Sequence, residues 1–220
     1  MKSYDVFFFD LDGTITDSSL GITNSVMYAL KKFGITETDR TKLYKFIGPP
    51  LTDSFREFYG FSEEEALLGV KYYREYYQEK GIYENLVYDG FEKMIKALKA
   101  AVKMTVVATS NPEPYAKRII EHFGLASYFD YVAGMELDGG RATKAEVIRY
   151  AFEMCKLYKD KCEDREKILM IGDRKHDVIG AKEVGIDCLG VLYGFGSRKE
   201  LEEAGADYII ETVEKIQDYI

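Results

Sequence analysis

Cysteine is scarce in this 220-residue chain, with Cys155, Cys162 and Cys188 its only three. An odd number, at no zinc-type spacing and in a chain long enough to bury its own core, excludes a disulfide framework and argues against a thiolate metal site. All three read as reduced packing thiols. Basic runs are missing as well. The chain has 38 acidic against 30 basic residues, a net charge of −8, and no stretch of five or six basic residues. A polyanion-binding surface, and with it a nucleic-acid partner, is therefore not expected. The N-terminus offers only Val6 to Phe9 as an apolar run before Asp10. Four residues are too few for a secretory h-region or a membrane span, so the expectation is a cytoplasmic protein with no membrane partner. Fixed-period repeats and low-complexity linkers are lacking too, which removes solenoids and strings of tethered modules.

What remains is the balance of a globular protein, 46% hydrophobic and 31% charged, far from the composition of disorder. Two patterns divide the chain. Residues 4–9 form an apolar run rich in Val and Phe that stops at Asp10, which reads as a buried parallel strand. From 17 to 86 the apolar spacing is helical, over 19–33, 41–46, 51–59 and 62–80, with Ser62 and Glu65 placed as a capping box and no good strand between them. After Tyr88-Asp89-Gly90 strand and helix alternate. Strands are expected at 104–108, 131–135, 168–171, 188–191 and 208–210; helices are expected at 91–99, 113–123, 143–155, 177–184, 198–204 and 212–219. That alternation is the mark of an α/β protein, here a Rossmann-like doubly wound parallel sheet. The expected organisation is a core of 1–16 and 87–220 with an inserted α-helical domain at 17–86.

Ligands of open α/β sheets bind outside the carboxyl ends of the strands. The residues there are Asp10-Leu11-Asp12-Gly13-Thr14, Thr109-Ser110-Asn111 and Gly172-Asp173, with Asp177 four positions on and Lys144 opening a helix. Asp10, Asp12, Asp173 and Asp177 cannot crowd one rim ionised without a cation, and hard oxygen donors suit Mg²⁺. A metal beside a carboxylate, a hydroxyl and a lysine suits phosphoryl transfer, which depends mostly on positioning and charge stabilisation.

Those residues, in that order, resemble the four motifs of the haloacid dehalogenase superfamily, in the branch similar to phosphoglycolate phosphatases. Asp10 to Thr14 match the first motif, Thr109 the second, Lys144 the third, and Gly172-Asp173 with Asp177 the fourth. The resemblance implies a phosphate monoesterase with a helical cap. Asp10 would be the nucleophile that forms an aspartyl-phosphate, and Asp12 the acid that protonates the leaving alcohol and then activates water. Gly13, Thr109, Ser110, Asn111 and Lys144 would bind the phosphoryl group. Mg²⁺ would be held by Asp10, the Asp12 carbonyl and Asp173, with Asp177 as a direct or indirect ligand.

An acid at Asp12 separates phosphatases from relatives whose leaving groups need no proton. Gly172 stands where mutase relatives typically have Glu, so hydrolysis is expected over phosphate transfer between sugar hydroxyls. A phosphomutase and a catalytically silent phosphate-binding regulator are the alternatives. The partner would be a small phosphorylated metabolite, phosphoglycolate-like, a nucleotide or a sugar phosphate; monomer and homodimer both stay open. His176 reads as a helix-entry residue, Tyr72, Tyr73, Tyr76 and Tyr77 as packing, and Gly194 and Gly196 as a flexible turn rather than a phosphate loop.

Overall fold

Four apolar side chains between Asp5 and Asp10 make the central strand of the molecule, β1 (Val6–Phe9), and all four are buried. The computed structural model describes residues 2–137, 140–155 and 165–220; Cys162 lies outside them. From β1 the chain passes through a two-residue strand, β2 (Thr16–Asp17), into helices α1 (Ser19–Lys32), α2 (Leu51–Tyr59) and α3 (Glu63–Tyr77). It returns along β3 (Leu86–Val87), which pairs with β2. There follow α4 (Phe91–Ala100), β4 (Met104–Pro112), α5 (Glu113–His122), β5 (Tyr131–Met135) and α6 (Lys144–Met154). Then come β6 (Ile168–Gly172), α7 (Lys175–Val184), β7 (Asp187–Val191), α8 (Arg198–Ala204) and β8 (Tyr208–Ile210). By its internal contacts the chain divides into two units, Met1–Thr16 with Val87–Ile220, and Asp17–Leu86.

The first unit is built on a six-stranded sheet of order β5-β4-β1-β6-β7-β8, parallel at every pairing. Successive side chains of a strand face opposite ways. Val6 and Phe8 accordingly join a core with Val106, Met170 and the inner faces of α6 and α7. Phe9, on the opposite face, packs edge-on against Phe91 of α4 at 5.7 Å. Each fully buried phenylalanine contributes about 1.5–3 kcal/mol. A sheet covered on both sides by helices, with its first strand in the middle, is the doubly wound α/β arrangement expected. The chain leaves β1 toward β4 and β5 on one side and adds β6, β7 and β8 on the other. The carboxyl end of β1 is therefore the topological switch point, and Asp10 stands there.

The second unit is helical and has its own aromatic core. Ser62 and Glu65 form the expected capping box, and Phe55 stacks on Phe61 at 5.6 Å. Gly69 of α3 lets that layer close, since a Cβ there would come within 3.2 Å of the Phe55 ring. Tyr73 and Tyr77 are buried and stack on each other at 5.2 Å, while Tyr72 packs on Phe33. These tyrosines are packing residues.

Local departures from the expected elements have simple causes. Residues 40–46 and 213–219 form 3₁₀ turns rather than α-helices, as short segments often do. β4 runs on to Pro112 with a register shift between Thr109 and Pro112. α7 starts at Lys175, two residues early, because Asp177 and Arg174 satisfy each other's backbone ends. Among the described residues no helix is long and apolar enough to cross a membrane.

Candidate active site

The turn after β1 is tight. The amides of Thr14, Ile15 and Thr16 all point at the Leu11 carbonyl, and the Gly13 N–H donates to Thr16 O at 2.7 Å. Gly13 sits at φ +87°, and a side chain there would run into the Asp173 carboxylate. Glycine is therefore needed twice over, for the left-handed backbone and for the close approach.

Asp10, Asp173 and Asp177 are buried, and each contributes a carboxylate oxygen to a cluster whose members lie within 4.8 Å of one another. Lys144 is the ammonium set among them. Thr143 and Glu146 cap α6 reciprocally and place Lys144 at its first position. The Nζ donates to Asp10 Oδ1 at 2.7 Å and to the Ala108 carbonyl at 3.0 Å, and lies 2.8 Å from Asp177 Oδ1. Gly180 makes this possible, because a Cβ there would come within 2.8 Å of the Lys144 stem. Burial alone would lower Lys144, but Asp10 and Asp177 outweigh it and raise its pKa above the ordinary lysine value.

Three carboxylates to one ammonium leave an excess of negative charge. Burial, reinforced by Asp177 and Asp10, pushes Asp173 well above the carboxylate range. Burial also pushes Asp177 up, to about 6, against the pull of Lys144. Asp173 Oδ1 is buried with no hydrogen-bond partner. A buried acceptor without a donor, inside an over-acidic set of hard oxygens, fits a small divalent cation such as Mg²⁺.

The remaining expected residues gather at the same strand ends. Thr109 is buried, and its Oγ1 accepts from the Asn111 amide at 3.1 Å. Ser110, beside it, is half-buried. Asn111 Nδ2 donates to Asp12 Oδ2 at 3.1 Å, tying the end of β4 to the loop after β1. Asp12 lies outside the three-carboxylate cluster, as does His176, half-buried in α7.

One segment read as a flexible turn is instead packed against the site. The Phe195 N–H donates to Asp173 Oδ2 at 2.7 Å. Side chains at Gly194 or Gly196 would collide with Asp173 itself, and at Gly194 with the Gly13 carbonyl as well. Tyr193 donates to the Thr14 carbonyl at 3.2 Å. The two glycines are required by close packing, not by mobility. Their spacing in the sequence was the only available signal, since a backbone donor such as Phe195 N–H has no residue-type signature.

The chain is similar to known proteins along most of its length. The haloacid dehalogenase-like hydrolase family model matches residues 7–191. A 5′-nucleotidase from Pseudomonas aeruginosa is 45% identical over 90% of this chain and 87% of its own. The tyrosine-protein kinase PtkA of Mycobacterium tuberculosis is 33% identical over 99% of this chain and 72% of its own. The crystal structure of a predicted phosphatase from Clostridium acetobutylicum superposes with a TM-score of 0.91 at 48% identity, covering 99% of this chain and 98% of that one. With its catalytic-type residues gathered at the switch point of the sheet and a match that spans most of its length, the chain belongs to the haloacid dehalogenase-like hydrolase family.

Proposed function

We propose that this protein is a Mg²⁺-dependent phosphatase that hydrolyses a small phosphate monoester through an aspartyl-phosphate on Asp10. The observation that carries the reading is the buried Asp10–Lys144–Asp177 set beside Asp173, an acidic centre with one fixed ammonium. Asp10, the Asp12 carbonyl and Asp173 would hold the metal, with Asp177 behind them. When bound, Mg²⁺ supplies positive charge that offsets the carboxylates and the incoming phosphate dianion.

The protein's own groups divide the remaining work. Lys144 holds Asp10 by one oxygen and so fixes the carboxylate that attacks phosphorus. Thr109 Oγ1 accepts from the Asn111 amide and keeps its own proton to donate to a phosphoryl oxygen, with Ser110 and Gly13 alongside. As the P–O bond breaks, Asp12 gives its proton to the leaving alkoxide. It then takes a proton from the water that attacks the aspartyl-phosphate, and inorganic phosphate leaves. The helical unit 17–86 would act as the cap that selects the ester. A phosphomutase is the weaker reading, because Gly172 stands where mutase relatives typically have Glu.

The test is release of phosphate from p-nitrophenyl phosphate and a panel of small esters in Mg²⁺. Nucleoside 5′-monophosphates come first, since the 45%-identical relative is a 5′-nucleotidase. Wild type should turn over, and Asp10→Asn should lose about 10³-fold or more, because covalent catalysis is then blocked. Wild-type turnover no higher than that of Asp10→Asn across the panel would refute the reading.

A further inference from the structure

Sequence order groups Asn111 with Thr109 and Ser110 as a phosphate ligand, yet its carboxamide Nδ2–H is directed at Asp12 Oδ2, 3.1 Å away. Two backbone contacts fix the donor. The Asn111 N–H donates to Thr109 Oγ1 at 3.1 Å. Its carbonyl is packed against β5 so closely that a Cβ on Gly134 would come within 2.5 Å of it. Asn111 is 8% exposed, whereas Asp12 is half-buried. The final torsion of an aspartate is soft and nearly two-fold, so a fixed donor on Oδ2 decides where the other oxygen, the buried Oδ1, is held.

We propose that Asn111 is a positioning residue that acts through Asp12, anchoring Oδ2 so that Oδ1 is presented to the leaving group. The inference rests on the phosphatase reading. In it the Oδ1–H bond of Asp12 breaks as the alcohol O–H bond forms, and Asp12 is left as a carboxylate. Its Oδ2 then accepts a charge-assisted hydrogen bond from Asn111, stronger than the neutral one it replaces. In the second step the same Oδ1 takes a proton from water. Asn111 thus serves departure of the alcohol and attack of water, and leaves binding of the phosphoryl group to its neighbours.

The prediction separates leaving-group effects from phosphate effects. Wild type, Asn111→Ala and the isosteric Asn111→Asp are compared in Mg²⁺ on p-nitrophenyl phosphate and phenyl phosphate, with inorganic phosphate as competitive inhibitor. Nitrophenolate departs with little help from a proton and phenolate needs more. With Asn111→Ala, kcat/KM for phenyl phosphate should therefore fall several-fold further than for p-nitrophenyl phosphate, while inhibition by inorganic phosphate stays unchanged. Asn111→Asp, which sets one carboxylate against another, should show the larger disparity. In an Asp12→Ala background Asn111→Ala should cost nothing more, since no acid is left to position. Equal losses on both esters with weaker inhibition by phosphate, no loss at all, or full additivity with Asp12→Ala would each overturn the proposal. A wild type inactive on both esters and across the panel of small esters would refute the phosphatase reading and this inference together, whereas an active wild type with equal losses refutes the inference alone.

Discussion

At the amino ends of the strands Asp5 pairs with Lys103 at 2.9 Å and Asp130 with Lys99 at 2.8 Å, whereas at the carboxyl ends Asp10, Asp173 and Asp177 share Lys144. The carboxylates of the first set are solvated: the Asp5 side chain is 64% exposed and that of Asp130 41%. The second is buried, with the Lys144 side chain at 3%. Their titration diverges in the same way. Burial pushes Asp130 up, but Lys99 and the Thr105 amide more than offset it and hold it below the usual carboxylate range. Asp173 and Asp177 are held above that range. One end of the sheet spreads its charges over separate ion pairs; the other gathers three buried carboxylates around one ammonium.

The sharpest way to test the contrast is to remove the shared ammonium. Lys144→Met leaves buried carboxylates without their partner, and should cost about 3–5 kcal/mol in urea unfolding at pH 7.5 without metal. A loss below 1 kcal/mol would mean that the imbalance is not felt by the fold.

Smaller, and of opposite sign at the two ends, is the effect of pH. An acid whose pKa is raised in the folded state stabilises it below the usual carboxylate range and loses that contribution as pH rises through its folded value. For Asp177 that value is about 6. Thermal melts in EDTA should therefore show lower stability at pH 7.5 than at pH 5, and Mg²⁺ should raise the melting temperature by several degrees at pH 7.5 and by less at pH 5. Asp130 works the other way, contributing above the carboxylate range and losing its effect only as pH falls below it. Melting curves that rise steadily from pH 5 to 7.5 in EDTA would break the comparison.

The smallest change belongs to the solvated end. Asp5→Asn should shift stability by less than about 1 kcal/mol and leave turnover intact, because an exposed ion pair is screened and entropically costly to hold. A larger loss of stability, or any loss of turnover, would show that the two ends are not separate.

Much of the core was legible in the sequence, for a physical reason. Strands buried on both faces, such as 6–9 and 168–171, must be continuously apolar, and the acids that follow them stand out against that background. Tyr131–Met135, Arg198–Ala204 and Tyr208–Ile210 lie where periodicity and glycine placed them. The two-residue strands β2 and β3 were not legible, since two residues carry no periodicity. Nor could sequence distinguish a 3₁₀ turn at 213–219 from an α-helix, because both repeat their apolar residues at nearly the same interval.

Residue types and their order determined which chemistry is available here: acids, a hydroxyl and a lysine, each just after a strand or opening a helix, so that a parallel sheet must bring them to one edge. Tertiary structure alone decided how they are paired. The Asn111–Asp12 bond joins residues 99 positions apart, and the Phe195 amide that holds Asp173 could belong to almost any residue. Hydrogen bonds between distant segments depend on ångström-scale packing, which side-chain periodicity does not encode. The same holds for the charge count. The net −8 is read directly from composition, but burial is what makes three of those acids a cluster that could hold a metal ion.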